Sequence, residues 1–174
     1  MSAFYRVLAW ASGIGFVAAA AWHVLVLLGS DVPKPQWMPL FLGIFVVWVP
    51  AVLSIMPLRD RIASDRWHMW SIVLEGAPTW MFLGVIYIGI YGVVNFLLAT
   101  GGLGRITDRD PAFPRAGSGS AMVFYFTAMA ILQGAKAREG ATRCPEGHLI
   151  AVGQSLCTEC GRKADEGPNG QHGA

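Results

Sequence analysis

Charge is scarce in this sequence: 14% of its 174 residues are Asp, Glu, Lys or Arg, against 54% hydrophobic, and the mean hydropathy is +0.47. A soluble globule carries about 25% charged residues, so an ordinary water-soluble domain is excluded as the reading. The formal net charge is only +2 and no stretch concentrates lysine or arginine, which leaves no basic patch for nucleic acid. Cysteine is rare too. Three cysteines, an odd number confined to seventeen residues, do not make the paired framework of an exported disulfide protein. Of four histidines, His23 alone falls in a long apolar run, whereas haem b needs two axial histidines at that depth. There is no Walker loop, no GxSxG, no HExxH, no acidic cluster for magnesium and no internal repeat, so no catalytic constellation is legible.

What is present is long apolar runs up to about Ala135, then a polar, glycine-rich tail holding all three cysteines. Val7 to Leu28 is twenty-two residues without a formal charge. That crosses a hydrocarbon core about 30 Å thick at 1.5 Å per residue. The run continues past the Ala18 to Ala21 site that a cleaved signal peptide would offer, so it is read as a span. The Gly/Pro/Asp-containing linker 29–36 leads into a second span, 37–56, with Pro39 and Pro50 inside it. Leu58 to His68 carries both signs of charge, and Ser64 before Asp65 is read as the N-cap of the next helix. From Trp67 to Ala99 only Glu75 is charged, too long for one crossing and too short for two. Pro78 divides it into an interfacial segment, 67–77, and a third span, 79–99. Residues 100–118, with four glycines, two prolines and five charges, read as a loop before a fourth span, 119–135.

The expected architecture is therefore an all-α membrane protein: a four-helix transmembrane bundle over 1–138, a small zinc-binding tail over 139–165 and a disordered end, 166–174. The Lys/Arg bias favours both termini on the cytoplasmic side of a cell (inner) membrane, nine against four. The cytoplasm also keeps thiols reduced, which agrees with a metal-ligating tail there.

In the tail, CPEGHLIAVGQSLCTECG pairs Cys144-x3-His148 with Cys157-x2-Cys160 across eight residues. These are the four soft or borderline donors that tetrahedral zinc prefers. Pro145, Gly147 and Gly161 suit two tight metal-gripping turns, and Leu149, Ile150 and Val152 are placed to form a hairpin with Leu156. A redox CxxC would open a helix in a βαβ unit, and none is present. His172 is expected to stay free of the metal. The segment resembles the short zinc ribbons that many bacterial proteins, actinobacterial ones especially, carry at a terminus. Cys144, Pro145, Gly147, His148, Gly153, Cys157, Cys160 and Gly161 agree with that pattern, and Leu156 stands where an aromatic is commoner. The resemblance covers eighteen residues and implies one structural Zn2+ and a docking surface, not an enzyme.

Within the spans, the candidates for an intramembrane polar site are His23, Glu75, Tyr87, Tyr91, Asn95 and Gln133, with Tyr125 beside them. Tyr87, Tyr91 and Asn95 repeat every four residues, as do Met122, Tyr125, Met129 and Gln133. Ala11, Gly15 and Ala19 offer a small-xxx-small face for close helix approach. Two functions follow as expectations. One is a non-enzymatic accessory or scaffold protein, in contact with lipid and with a protein partner or further copies of itself. The other is a small oligomeric transporter or channel using the polar face of the third span.

Overall fold

The computed structural model describes residues 2–29, 34–100, 112–139, 141–144, 148–150, 156–157, 160–161 and 163. Its elements in order are α1 (Ser2–Leu27), α2 (Lys34–Ile55), a 3-10 turn (Met56–Leu58), α3 (Arg59–Ser64), α4 (Met69–Val73), α5 (Thr79–Thr100), α6 (Ala112–Arg138), β1 (Thr142–Arg143) and β2 (Leu149–Ile150). Three stretches, Ala3–Leu27, Met38–Ser64 and Thr79–Thr100, are long and apolar enough to cross a membrane. Their outward faces are apolar: Trp10, Ile14 and Val17 on α1, Phe45 and Val46 on α2, and Leu83, Ile90 and Leu98 on α5 are all exposed. Such continuous apolar surface belongs against hydrocarbon, where helices satisfy their own backbone groups.

α6 is different. It packs along α1, α5 and α2, and from Pro114 to Glu139 Phe124 alone is exposed. Between apolar chains and lipid tails the hydrophobic effect drops out, so helices associate through close packing and hydrogen bonds. The bundle uses both. Tyr125 of α6 lies against Gly15 of α1 and Gly43 of α2, and Phe126 and Val123 lie against Gly84 and Gly92 of α5. The Tyr125 hydroxyl donates to the Leu40 carbonyl at 2.6 Å, and Trp48 Nε1 donates to the Phe124 carbonyl at 3.0 Å. Ala121, Ala128, Ala130, Ile131 and Leu132 complete the buried face.

The helices are longer than the apolar runs. α1 starts at Ser2 and includes Arg6, and α2 starts at Lys34, so 34–36 are helical and not a turn. α6 starts at Ala112, which places 112–118 in a helix where a loop is expected. Proline is tolerated in a first helical turn, and Gly117 and Gly119 are small enough to lie against Phe41, Asn95 and His23. Pro39 and Pro50 sit inside α2 without ending it.

Between α2 and α5 the chain runs through short segments. Ser64 ends α3, its hydroxyl donating back to the Arg61 carbonyl, so it is not an N-cap; the Asp65 carboxylate instead receives the His68 backbone N–H at 3.3 Å. Trp67 is 97% exposed, whereas Ile72, Val73 and Leu74 are buried. The run then breaks before Pro78, where Gly76 takes φ +85 and Ala77 N donates to the Leu74 carbonyl at 2.8 Å.

On α1 the small inward face is Ser12, Gly15 and Ala19, while Ala11 is exposed. A strict four-residue step advances 400°, so a stripe spaced by fours drifts about 40° per step. Steps alternating three and four hold the face.

Candidate metal centre and buried polar cluster

The tail follows the last turn of α6 directly. β1 and β2 pair antiparallel, Thr142 opposite Ile150 and Arg143 opposite Leu149. Thus β2 pairs upstream, not with Leu156, which forms its bridge with Lys163. Ile150 is buried with Cys144 and Cys157, forming a core of its own apart from that of the bundle. Cys144 N donates to the His148 carbonyl at 3.0 Å, closing the first loop. Gly161 N donates to the Cys157 carbonyl at 2.9 Å, closing the second, and Gly161 takes φ +71, the left-handed conformation that glycine allows.

These closures bring Cys144, His148, Cys157 and Cys160 together, their ligand atoms all within 4.8 Å of one another. Cys144 Sγ lies 3.7 Å from His148 Nδ1 and 3.6 Å from Cys160 Sγ. Donors around a tetrahedral zinc, with Zn–S near 2.3 Å and Zn–N near 2.0 Å, stand about 3.5–3.8 Å apart. The four residues are therefore close enough to hold one metal ion and compatible with a single structural zinc. All three cysteines are free of disulfides. Pro145, Gly147, Val152, Gly153, His172 and the end, 166–174, lie outside the described residues.

The second constellation lies among α1, α5 and α6. His23 is 3% exposed, its Nδ1 2.8 Å from the Ser118 hydroxyl and its Nε2 2.6 Å from the Tyr91 hydroxyl. The Ser118 hydroxyl also lies 3.2 Å from the Arg115 carbonyl. When it donates there, His23 Nδ1 donates to Ser118 and Nε2 accepts from Tyr91; when it donates to Nδ1, Nε2 carries the ring proton and donates to Tyr91. Asn95, also 3% exposed, donates from Nδ2 to the Arg115 carbonyl at 3.1 Å and accepts from Arg115 Nε at 3.2 Å. Each polar group is paired inside the bundle, as buried polar groups should be. The arrangement stitches three helices together at one level.

Of the expected polar residues, the structure unites His23, Tyr91 and Asn95 and separates the rest. Tyr87 is 75% exposed on the outer face of α5 and makes no hydrogen bond among the described residues. Its four-residue spacing from Tyr91 and Asn95 carries the stripe from lipid side to core. Gln133 is half-buried and likewise makes no hydrogen bond among the described residues. Glu75 stands in the connection before Pro78, outside the spans, where Arg61 Nη1 donates to its carboxylate at 2.7 Å. Beside it Arg138 Nη1, from the end of α6, donates to the Val73 carbonyl at 2.8 Å and the Glu75 carbonyl at 3.1 Å. Sequence reasoning missed Arg115 and Ser118 because glycine and proline made their segment read as a loop. The small-residue run 117–121 was the signal for a tightly packed helix.

Comparisons with protein-family models, with curated proteins and with solved structures find no match to this chain. The tail's likeness to zinc ribbons accordingly rests on its own ligand pattern and on the clustering of the four donors.

Proposed function

We propose that this protein is a non-enzymatic scaffold or accessory subunit of a cell (inner) membrane, crossing it four times and presenting a cytoplasmic zinc module that docks a protein partner. The observation that carries this reading is the convergence on one point of four potential ligands, the first of them six residues beyond the end of the central helix. With four protein donors no coordination position is left open, so a zinc ion would supply the folding energy of the tail and not chemistry. A hairpin this small has too few apolar residues to hold its shape alone.

α6 is the fourth span in this reading. At 27 residues it is about 40 Å long, enough for the hydrocarbon core. Its serines, glycines and Gln133 are acceptable at that depth because α1, α2 and α5 stand between it and lipid. Four spans put both termini on one side, and the Lys/Arg bias makes that side the cytoplasm. Protease protection of tags at each end should show them on the same, cytoplasmic face; tags on opposite faces would remove α6 from the membrane.

For docking, the full-length protein is cross-linked in cells, purified and compared with Cys144→Ser and Cys157→Ser, which keep the bundle. A partner retained by the wild type and lost from both variants supports the reading. A partner set indifferent to the metal site refutes it.

The second reading, a small oligomeric transporter, draws on the buried His23 and Asn95, with Tyr91 bonded to His23, on facing helices. It predicts solute flux in proteoliposomes that Asn95→Leu abolishes.

A further inference from the structure

Where α2 runs through the 3-10 turn into α3 and α4, an apolar groove of about 570 Å³ opens on the outside of the bundle. Val52, Ile55, Met56, Ile62 and Met69 make its apolar surface, and Arg59 and Arg66 stand in its wall. The spacing explains why most share a side: 55, 56, 59 and 62 lie three, four, seven and ten residues beyond 52 along nearly continuous helix, and Arg66 follows just past the end of α3. The two arginines are distinguished by what they lack. Arg61, on another face, holds the Glu75 carboxylate, and Asp65 is engaged by His68 at 2.8 Å. Arg59 and Arg66 are exposed and have no ion-pair partner among the described residues. Neither carboxylate of the segment, Asp60 or Asp65, lines the groove.

The position matters as much as the charge. The groove begins on the apolar face of α2 and ends at Met69; Trp67 and Trp70, close to Arg66 and Met69 in sequence, are both exposed and of the residue type that favours the level of lipid headgroups. A ligand filling it must offer hydrocarbon at one end and an anion at the other. Guanidinium groups match phosphate oxygens in both charge and geometry.

We propose that this groove is a binding site for an anionic glycerophospholipid, its phosphate held by Arg59 and Arg66 and an acyl chain lying along Val52 and Met56 toward the bilayer. The proposal rests on the reading that α2 crosses the membrane.

The test uses the full-length protein in mild detergent, with retained lipid counted by native mass spectrometry after addition of equal dioleoyl-phosphatidylglycerol and dioleoyl-phosphatidylcholine. Wild type should retain the anionic phosphatidylglycerol in preference. Each arginine near an anionic surface is worth about fivefold in affinity, so Arg59→Gln with Arg66→Gln should weaken that preference about twenty-five-fold. The pair of Arg→Lys variants should keep most of it. Ala63→Trp, at an exposed position in the groove wall, should reduce retention of both lipids while leaving both arginines in place. Equal retention of the two lipids by wild type, or an unchanged preference in the double Gln variant, overturns the proposal. So does displacement of the lipid by equimolar inorganic phosphate or polyglutamate peptide. Alkaline carbonate extraction separates the premises: protein released from membranes refutes the membrane reading itself, whereas protein that stays embedded without lipid preference refutes the site alone.

Discussion

Substituting Gly15 by alanine interrogates the central joint of the bundle with a single methyl group. That methyl would lie 2.6 Å from Tyr125 Cζ and closer still to two neighbouring ring carbons, about 1 Å inside normal carbon contact. The ring has no room to retreat, because Gly43 of α2 backs its hydroxyl, and that hydroxyl is held to the Leu40 carbonyl. Overpacking of this kind costs about 1–3 kcal/mol, and a ring confined on both sides belongs near the top of the range. Replacing a mid-helix glycine returns about 1 kcal/mol of backbone entropy. The net expectation is a loss of about 2 kcal/mol, about thirtyfold in the folding equilibrium. Unfolding by increasing SDS mole fraction in mixed micelles, followed by tryptophan fluorescence, reads it directly. The decisive comparison is the same change in a Tyr125→Ala background, where Gly15→Ala should instead stabilise by about 1 kcal/mol, a coupling of about 3 kcal/mol. Equal effects in the two backgrounds would falsify the packing of Tyr125 between α1 and α2.

Elemental analysis of protein purified without chelators should give about one zinc per chain, and Cys157→Ser should lose it together with protease resistance of the tail; a metal-free wild type defeats the zinc assignment. His23→Leu should destabilise by about 1–3 kcal/mol, because the buried Ser118 hydroxyl and the Tyr91 hydroxyl lose their imidazole partner, and His23→Gln should recover part of that; if Leu and Gln behave alike, the hydrogen bonds are not what His23 contributes. The exposed Arg61–Glu75 pair is worth at most about 1 kcal/mol, so Arg61→Ala should be mild. Arg138→Ala removes a donor to two backbone carbonyls and should cost more, and an inverse order in the SDS titration contradicts this account of the α4 to α6 brace.

The candidate metal ligands were legible because each is fixed by spacing within a short segment. Cys-x3-His and Cys-x2-Cys demand tight turns whatever surrounds them, and the four donors do meet. The pairing of β2 was not legible: Thr142–Arg143 carry no strand signal, and two-residue strands are chosen by which backbone groups the closed loops leave opposite each other. Long apolar runs likewise announced α1, α2 and α5, since hydrocarbon length and backbone satisfaction leave a chain few alternatives. The start of α6 escaped because Gly117, Ser118 and Gly119 read as loop in isolation and become assets only when another helix presses against them.

By itself, then, the sequence marked the segments: four expected spans, of which three are helices long and apolar enough to cross a membrane, and a tail whose ligand spacing suits one ion. Tertiary structure decided which helix lies at the centre, and so which polar residues meet. His23 and Asn95, seventy-two positions apart, are joined through Arg115 and Ser118, while Tyr87, one helical turn from Tyr91, faces outward. The reason is geometric. A single helix carries its periodicity in the sequence, but the rotation of one helix about its axis against another is set by where Tyr125 finds glycine on two partners at once.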